Sequence, residues 1–221
     1  MAHIAIIGSG ITGVTSAYAL ARAGHRITVI DSQRYAGMET SHANGGQLSA
    51  SNAEVWTHPS TLLKGLKWMF KRDAPLLMPP TLTWHKLSWM AEFIAAMPHY
   101  QAHTTTTAQL AIAAREHLFG WAEAEGIDFC LKRQGILHIY RDRESFDHAG
   151  RVSQLLAAGG LGRRPVTPSE MRAIEPTLQG DFYGGWYTES DATGDIHLFT
   201  HGLARACEER WGVQMRYDTR V

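Results

Sequence analysis

The sequence has few cysteines, no net charge and no long apolar run. Only two of its 221 residues are cysteine, Cys130 and Cys207, and they are far apart. That excludes a disulfide framework and points to a reducing, cytoplasmic compartment with two buried thiols. No paired Cys and no His cluster at ligand spacing suggests a metal site. His197 and His201 lie four apart on a helical run, but no acid or third ligand accompanies them, so a metal is not expected. Lys plus Arg and Asp plus Glu both total 21. Without a basic run or interleaved aromatics, nothing marks the chain as a nucleic-acid partner. No stretch is long and charge-free enough to span a bilayer. The apolar start, residues 4–20, lacks a basic leader and is broken by glycines, unlike a signal peptide.

What the chain does have lies at that start. Ile4-Ala5-Ile6-Ile7 runs into Gly8-Ser9-Gly10-Ile11-Thr12-Gly13, then a helical stretch, then Ile27-Thr28-Val29-Ile30-Asp31. The order is strand, glycine turn, helix, strand, acid. Gly8 permits the tight turn, Gly10 lets a pyrophosphate reach the backbone, and Gly13 lets helix and strand pack closely. The helix N-terminus offers unpaired N–H groups and a positive dipole end. Asp31 stands about 20 residues beyond Gly10, where an acid accepts hydrogen bonds from a ribose. The pattern predicts a dinucleotide site made by Ile7 to Gly13 with Asp31, Ser32 and Gln33. An acid there disfavours a 2′-phosphate, although Arg34 keeps NADP among the alternatives. A structural βαβ unit with a chance glycine turn is the other.

The rest reads in order as follows. The first helix should cover Ile11 to Ala23, with Ile11, Val14, Ala17, Tyr18 and Ala21 on its inner face and Gly24 as its stop. Thr40 to Ser49 is small, polar and glycine-bearing, suited to a backbone approach to a flat ligand or to a surface turn. A helix around Leu62 to Phe70 carries Lys64, Lys67, Lys71 and Arg72, and Met78-Pro79-Pro80 breaks it. Its basic, Trp-bearing face suits either a core stripe with snorkelling lysines or a membrane surface. A second helix is expected over Trp84 to Met97, with Leu87, Met90, Phe93 and Ile94 inward. A third should follow the Thr104–Thr107 run, capped by one of its hydroxyls, and stop at Gly126. Residues 127–141 turn to strand. A helix follows from Arg143 to Ala158. Thr167-Pro168-Ser169-Glu170 is a capping box. Tyr183 to Tyr187 is a strand, Ile196 to Trp211 a helix, and Val213 to Tyr217 a strand.

Several of these motifs carry a resemblance. The opening turn, Glu39-Thr40-Ser41 with Asn44 and Gly46, Leu66-Lys67-Trp68-Met69-Phe70, Ala74-Pro75-Leu76, Arg133-Gln134-Gly135 and Thr193-Gly194-Asp195 with Leu198-Phe199-Thr200 and Leu203-Ala204-Arg205 resemble the bacterial D-amino acid dehydrogenase small subunit. Those are flavoproteins of the D-amino acid oxidase superfamily. His42 and Gly45 stand where relatives often have alanine. The resemblance implies FAD as cofactor and an α/β fold. That fold is a Rossmann-like FAD-binding domain, with an inserted helical and mixed-sheet substrate region, truncated in this sequence. It implies a discontinuous, incomplete FAD-binding domain over 1–55 and 190–221, with a helical segment and part of the substrate domain over 56–189. Thr40, Ser41, Asn44, Gly45, Gly46 and Gln47 are implied on the flavin side, and Val221 at the adenine end. The implied activity is oxidation of D-amino acids to 2-oxo acids and ammonium. Electrons would pass to a quinone-linked respiratory acceptor from a peripheral position on the inner membrane. Members are much longer, and the substrate-carboxylate arginine and a second flavin motif are expected beyond Val221, in a missing C-terminal half or partner subunit. No catalytic residue is assigned, and the 221 residues alone are expected to be inactive. A relative acting on sarcosine, glycine, D-hydroxyproline or an opine, an NAD-binding module, and a non-catalytic nucleotide-binding fragment remain as alternatives.

Overall fold

The computed structural model describes residues 1–61, 65, 81 and 83–221. The helix expected around Leu62 to Phe70, the Met78-Pro79-Pro80 break and Ala74-Pro75-Leu76 lie outside the described residues. Contacts divide the chain into two units: Met1–Ser49, Ala113–Ile136 and Glu189–Val221 form one, Ala50–Ile112 and Leu137–Thr188 the other.

In the first unit, β1 (His3–Ile7), α1 (Ile11–Arg22) and β2 (Arg26–Ile30) form the expected βαβ start. β1 and β2 pair in parallel with Ile4 opposite Ile27 and Ile6 opposite Val29. β8 (Gln214–Arg216) joins the far side of β2, also parallel, for a sheet order β1-β2-β8. The alternation of each strand sets its faces. Ile4, Ile6, Ile27, Val29 and Met215 face a core that includes Val14, Ala17, Tyr18 and Ala21 of α1 and Phe199, Leu203 and Cys207 of α6 (Ile196–Trp211). The opposite face carries a polar ladder, His3 to Thr28 at 2.9 Å and Thr28 to Gln214 at 3.3 Å. A short antiparallel pair, β3 (Gln47–Leu48) with β7 (Ala192–Thr193), stands apart from that sheet.

The second unit holds α2 (Trp84–Ala96), the first half of α3 (Tyr100–Glu125), α4 (Arg143–Ala158), α5 (Pro168–Ile174) and a sheet ordered β4 (Ile136–Tyr140), β6 (Gly184–Thr188), β5 (Arg164–Val166). Its core is Ala50, Ala53, Ala108, Val152, Leu156 and Leu161, with Ala111 and Ile112 beside them. Asp142 caps α4 through the Ser145 N–H, and the capping box at Thr167 and Glu170 is formed on both sides.

The structure differs from the sequence expectations at five places. α3 runs straight through the Thr104–Thr107 run rather than starting after it. Thr104 is fully buried, Thr107 Oγ1 donates to His103 O, and Thr105 Oγ1 donates to Leu155 O, so these hydroxyls bond within and between helices instead of capping. Residues 113–136, expected with the helical segment, belong to the first unit, because Leu118, Phe119, Ala122 and Phe129 pack in its core. The strand expected over 127–141 is confined to Ile136–Tyr140. Before it, Cys130 has a φ of 57°. Cys130 is exposed rather than buried, whereas Cys207 is buried, and burial first, then the Glu125 and Glu208 carboxylates, push its thiol up to about 12. Lastly, α2 forms where the periodicity puts it but buries none of its residues, and Leu87 and Ile94 are 46% and 48% exposed.

Candidate dinucleotide site

The sheet and α1 converge on the glycine turn. Gly8 leaves β1 with a φ of +97°, a left-handed value that favours glycine, and its N–H donates to Ile30 O at 2.8 Å. Gly10 is the N-cap of α1 and offers no side-chain cap. Ile11 N–H donates to Ser41 Oγ at 3.0 Å, and Val14 N–H to Gly10 O at 3.0 Å. The N–H groups of Thr12 and Gly13 have no partner among the described residues. Orphan donors at a helix N-terminus are what an anion requires.

The three glycines differ in kind. A Cβ on Gly13 would lie 1.9 Å from Gly8 O, so Gly13 serves the packing of turn on helix. A Cβ on Gly10 would meet only Ser41 Oγ, at 3.5 Å, so the protein itself does not demand glycine there. Open space over bare backbone, beside unpaired N–H groups, fits a pyrophosphate.

Asp31 follows β2 and is held in place. Its Oδ2 accepts the Ser9 N–H at 2.5 Å and the Ser9 hydroxyl at 2.6 Å, and its Oδ1 accepts the Gln33 N–H at 2.8 Å. Burial pushes the carboxyl up, but the Ser9 hydroxyl, the Gln33 N–H and the Ser9 N–H outweigh it and hold the group below the usual carboxylate range. A carboxyl lowered in the folded state contributes stability above its unfolded value and loses it as the pH falls through its folded value. Asp31→Asn is therefore expected to cost about 1.5–3 kcal/mol near neutrality, the worth of hydrogen bonds to a charged group, and much less once the pH has fallen below the usual carboxylate range to the carboxyl's lowered folded value. Urea denaturation at both conditions checks this; an equal loss at both would contradict the charged role.

A groove of about 350 Å³ is lined by Ile7, Gly8, Gly10 to Gly13, Asp31, Gln33 and Met38 to Ser41. It brings together most of the residues expected at the nucleotide, with Thr40 and Ser41 from the later loop. Ser9 is buried and does not line it; its part is to orient Asp31. Ser32 is exposed and also outside the lining. Val221 is 84% exposed and outside it as well. Nearby, Thr219 N–H donates to Asp31 O and Asp218 N–H to Gln33 O, which docks the stretch after β8 beside the acid.

Asn44, Gly45 and Gly46 line a second hollow of about 340 Å³ with His42, Cys130, Lys132 and Thr193 to His197. Asn44 Oδ1 accepts the Gly46 N–H at 2.8 Å and its Nδ2 donates to Thr40 O at 3.2 Å. Gly46 has a φ of +59°, and a Cβ there would lie 2.5 Å from Gly194 O. Its own carbonyl accepts the Gly194 N–H at 2.9 Å. The His42 and His197 rings lie 4.6 Å apart, and His197 Nδ1 donates to Gly37 O at 3.1 Å. Gln47 sits in β3 and lines neither hollow. Sequence reasoning missed Met38 in the first hollow, and Cys130, Lys132 and His197 in the second. The sequence gives the motif Thr193-Gly194-Asp195 no place; the pairing of β3 with β7 supplies one. Among the described residues no group of three or more His, Cys, Asp or Glu side chains is arranged to hold a metal, and no helix is long and apolar enough to cross a membrane.

Against known proteins, the chain is 59% identical over its whole length to D-amino acid dehydrogenase 3 of Mesorhizobium japonicum, covering 53% of that protein. It is 41% identical to D-amino acid dehydrogenase of Paramagnetospirillum magneticum, over 99% of this chain and 53% of that one. The chain thus spans about half the length of the curated relatives it matches. The fold is similar to L-proline dehydrogenase from P. horikoshii, with a TM-score of 0.70 at 19% identity over 100% of this chain and 45% of that one. It is also similar to glycine oxidase from Geobacillus kaustophilus, with a TM-score of 0.63 at 22% identity over 98% and 46%. Residues 3–221 match the family described as FAD dependent oxidoreductase, and this chain belongs to it.

Proposed function

We propose that the protein takes part in the FAD-dependent oxidative deamination of D-amino acids to 2-oxo acids and ammonium. The observation that carries this reading is the 59% identity to D-amino acid dehydrogenase 3 across the whole chain. Bound FAD supplies a two-electron acceptor for the hydrogen and electron pair leaving the substrate Cα. The chain supplies the seat. Thr12 and Gly13 N–H groups meet the pyrophosphate over the bare backbone of Gly10. Asp31, held by Ser9, accepts from the adenosine ribose, with Ser32 and Gln33 beside it. Ser41, Asn44, Gly45, Gly46 and Gln47 approach the flavin side, with the Gly46 turn clamped on Gly194. Val221 belongs to the adenine end. Water then converts the imino acid to the 2-oxo acid and ammonium.

The nucleotide-binding role falls to 1–55 and 190–221, and substrate enclosure to 56–189. Electrons leave to a quinone-linked acceptor at the cytoplasmic side of the inner membrane. Trp84, Leu87, Trp89 and Ile94, all exposed on α2, support a peripheral contact there. Assay of the full-length gene product with D-alanine, sarcosine and D-proline against an artificial acceptor tests the reading. Turnover of D-alanine is expected; turnover of sarcosine or D-proline without D-alanine would reject it in favour of a related amine oxidoreductase.

A further inference from the structure

The second unit contains a hollow of about 580 Å³ with an unusual lining: Asn52, Glu54, His58, His138, His148 and Arg163 all contribute to it. Its size suits a small ligand. Most of the polar groups already have partners. Glu54 Oε1 accepts the Tyr100 hydroxyl at 2.6 Å and faces His148 Nε2 at 3.3 Å. His138 Nε2 lies 3.0 Å from Asn52 Oδ1. Burial first, then the Glu54 carboxylate, push the Tyr100 phenol well above its usual value, so it stays a donor to Glu54.

Two donors are left over. Arg163 makes no ion pair among the described residues, and its Nε is buried with no hydrogen-bond partner. Its guanidinium lies against the Trp186 ring, 5.9 Å from the centroid, which fixes the plane of the fork without supplying an acceptor. His58 is the other. Ser60 N–H donates to its Nδ1 at 3.2 Å and the Ser60 hydroxyl lies 2.8 Å from the same atom. Nδ1 therefore presents a lone pair, and the ring proton sits on Nε2, which has no partner among the described residues. The buried Arg163 N–H without an acceptor is costly, and its guanidinium fork matches a carboxylate in both geometry and charge; the half-buried His58 adds a second donor beside it.

We propose that this hollow is a carboxylate site, which takes the carboxylate of an amino-acid-sized acid on Arg163 and His58. Binding stands on the geometry alone. The substrate-carboxylate arginine that the resemblance implies lies beyond Val221, so this site is a second one. Isothermal titration of the purified protein with D-alanine, D-glutamate, glutarate and butylammonium, at constant ionic strength, tests it. At least one of the three acids should bind and butylammonium should not. Arg163→Gln should weaken that binding at least about tenfold, roughly 1.4 kcal/mol. Arg163→Lys, which keeps the charge but loses the fork, should fall between. If D-alanine binds, the site reads an α-carboxylate; if only D-glutamate and glutarate bind, it reads a side-chain carboxylate. Either outcome supports a carboxylate site. Absence of binding by all three acids overturns the proposal, as does equal affinity in Arg163→Gln with an unchanged melting temperature, or binding of butylammonium as tight as that of the acids.

Discussion

Gly10→Val is expected to leave the protein folded and strip it of flavin. Gly10 has a φ of −69°, which valine adopts readily, and a Cβ would meet only Ser41 Oγ at 3.5 Å, an ordinary contact. The fold therefore loses at most about 1 kcal/mol, typical of a surface substitution near a helix start. The cost falls on the ligand. Two methyl groups would stand where the pyrophosphate must reach the Thr12 and Gly13 N–H groups, and no rearrangement of α1 relieves that. Flavin absorbance of the purified variant, read against its melting temperature, separates the two effects. Retained flavin at wild-type stoichiometry would show that the turn is not the nucleotide seat. Gly13 gives the contrast. A side chain there collides with Gly8 O at 1.9 Å, so Gly13→Val should unfold the first unit, and loss of flavin in it would say nothing about binding. The fold itself therefore demands glycine at Gly13 and not at Gly10.

That division was legible in the sequence, which gives Gly10 to a pyrophosphate and Gly13 to packing; the space around each glycine was not. The turn, α1 and β2 were also legible, because apolar period, glycine and acid all agree over a short span, and local agreement is the strongest sequence signal. The same holds for α4, α6 and the capping box at Thr167, whose determinants lie within a few residues of one another. The misjudged features depend on distant partners. The Thr104–Thr107 run reads as a cap until Leu155, fifty positions away, accepts the Thr105 hydroxyl. Ser9 reads as a ligand contact until Asp31 takes both of its donors. Gly46 and Gly194 each read as loop glycines, and their contact exists only because β3 and β7 pair. Lys132 carries no signal at all: it reaches the second hollow through a single bridge to Thr193.

Another contact between residues distant in sequence carries a large expected loss of stability. Arg115 of α3 and Asp191, just before β7, form an ion pair with Nη1 to Oδ1 at 2.5 Å and side chains 6% and 0% exposed. Ser49, just after β3, donates its hydroxyl to Asp191 Oδ2 at 3.3 Å, and Gly135 N–H donates to Asp191 O at 3.1 Å. The pair therefore ties α3 to the ends of the strand pair that clamps Gly46 on Gly194. Removing water from two charges is expensive, and their attraction offsets that cost only while both are present. Arg115→Ala leaves the Asp191 carboxylate buried without the Arg115 cation and should cost about 3–5 kcal/mol, a large share of the stability of an ordinary domain. Arg115→Lys keeps a charge but loses the planar fork and should cost less. The double variant Arg115→Met with Asp191→Leu removes both charges and should recover much of the loss, since an apolar pair of similar volume carries no desolvation cost. Urea denaturation of the three variants measures this. A double variant less stable than Arg115→Ala would mean that the carboxylate is needed for its links to Ser49 and the strand pair more than for balancing Arg115. Such a result would move the anchor of the Gly46 loop from the ion pair to Asp191 alone.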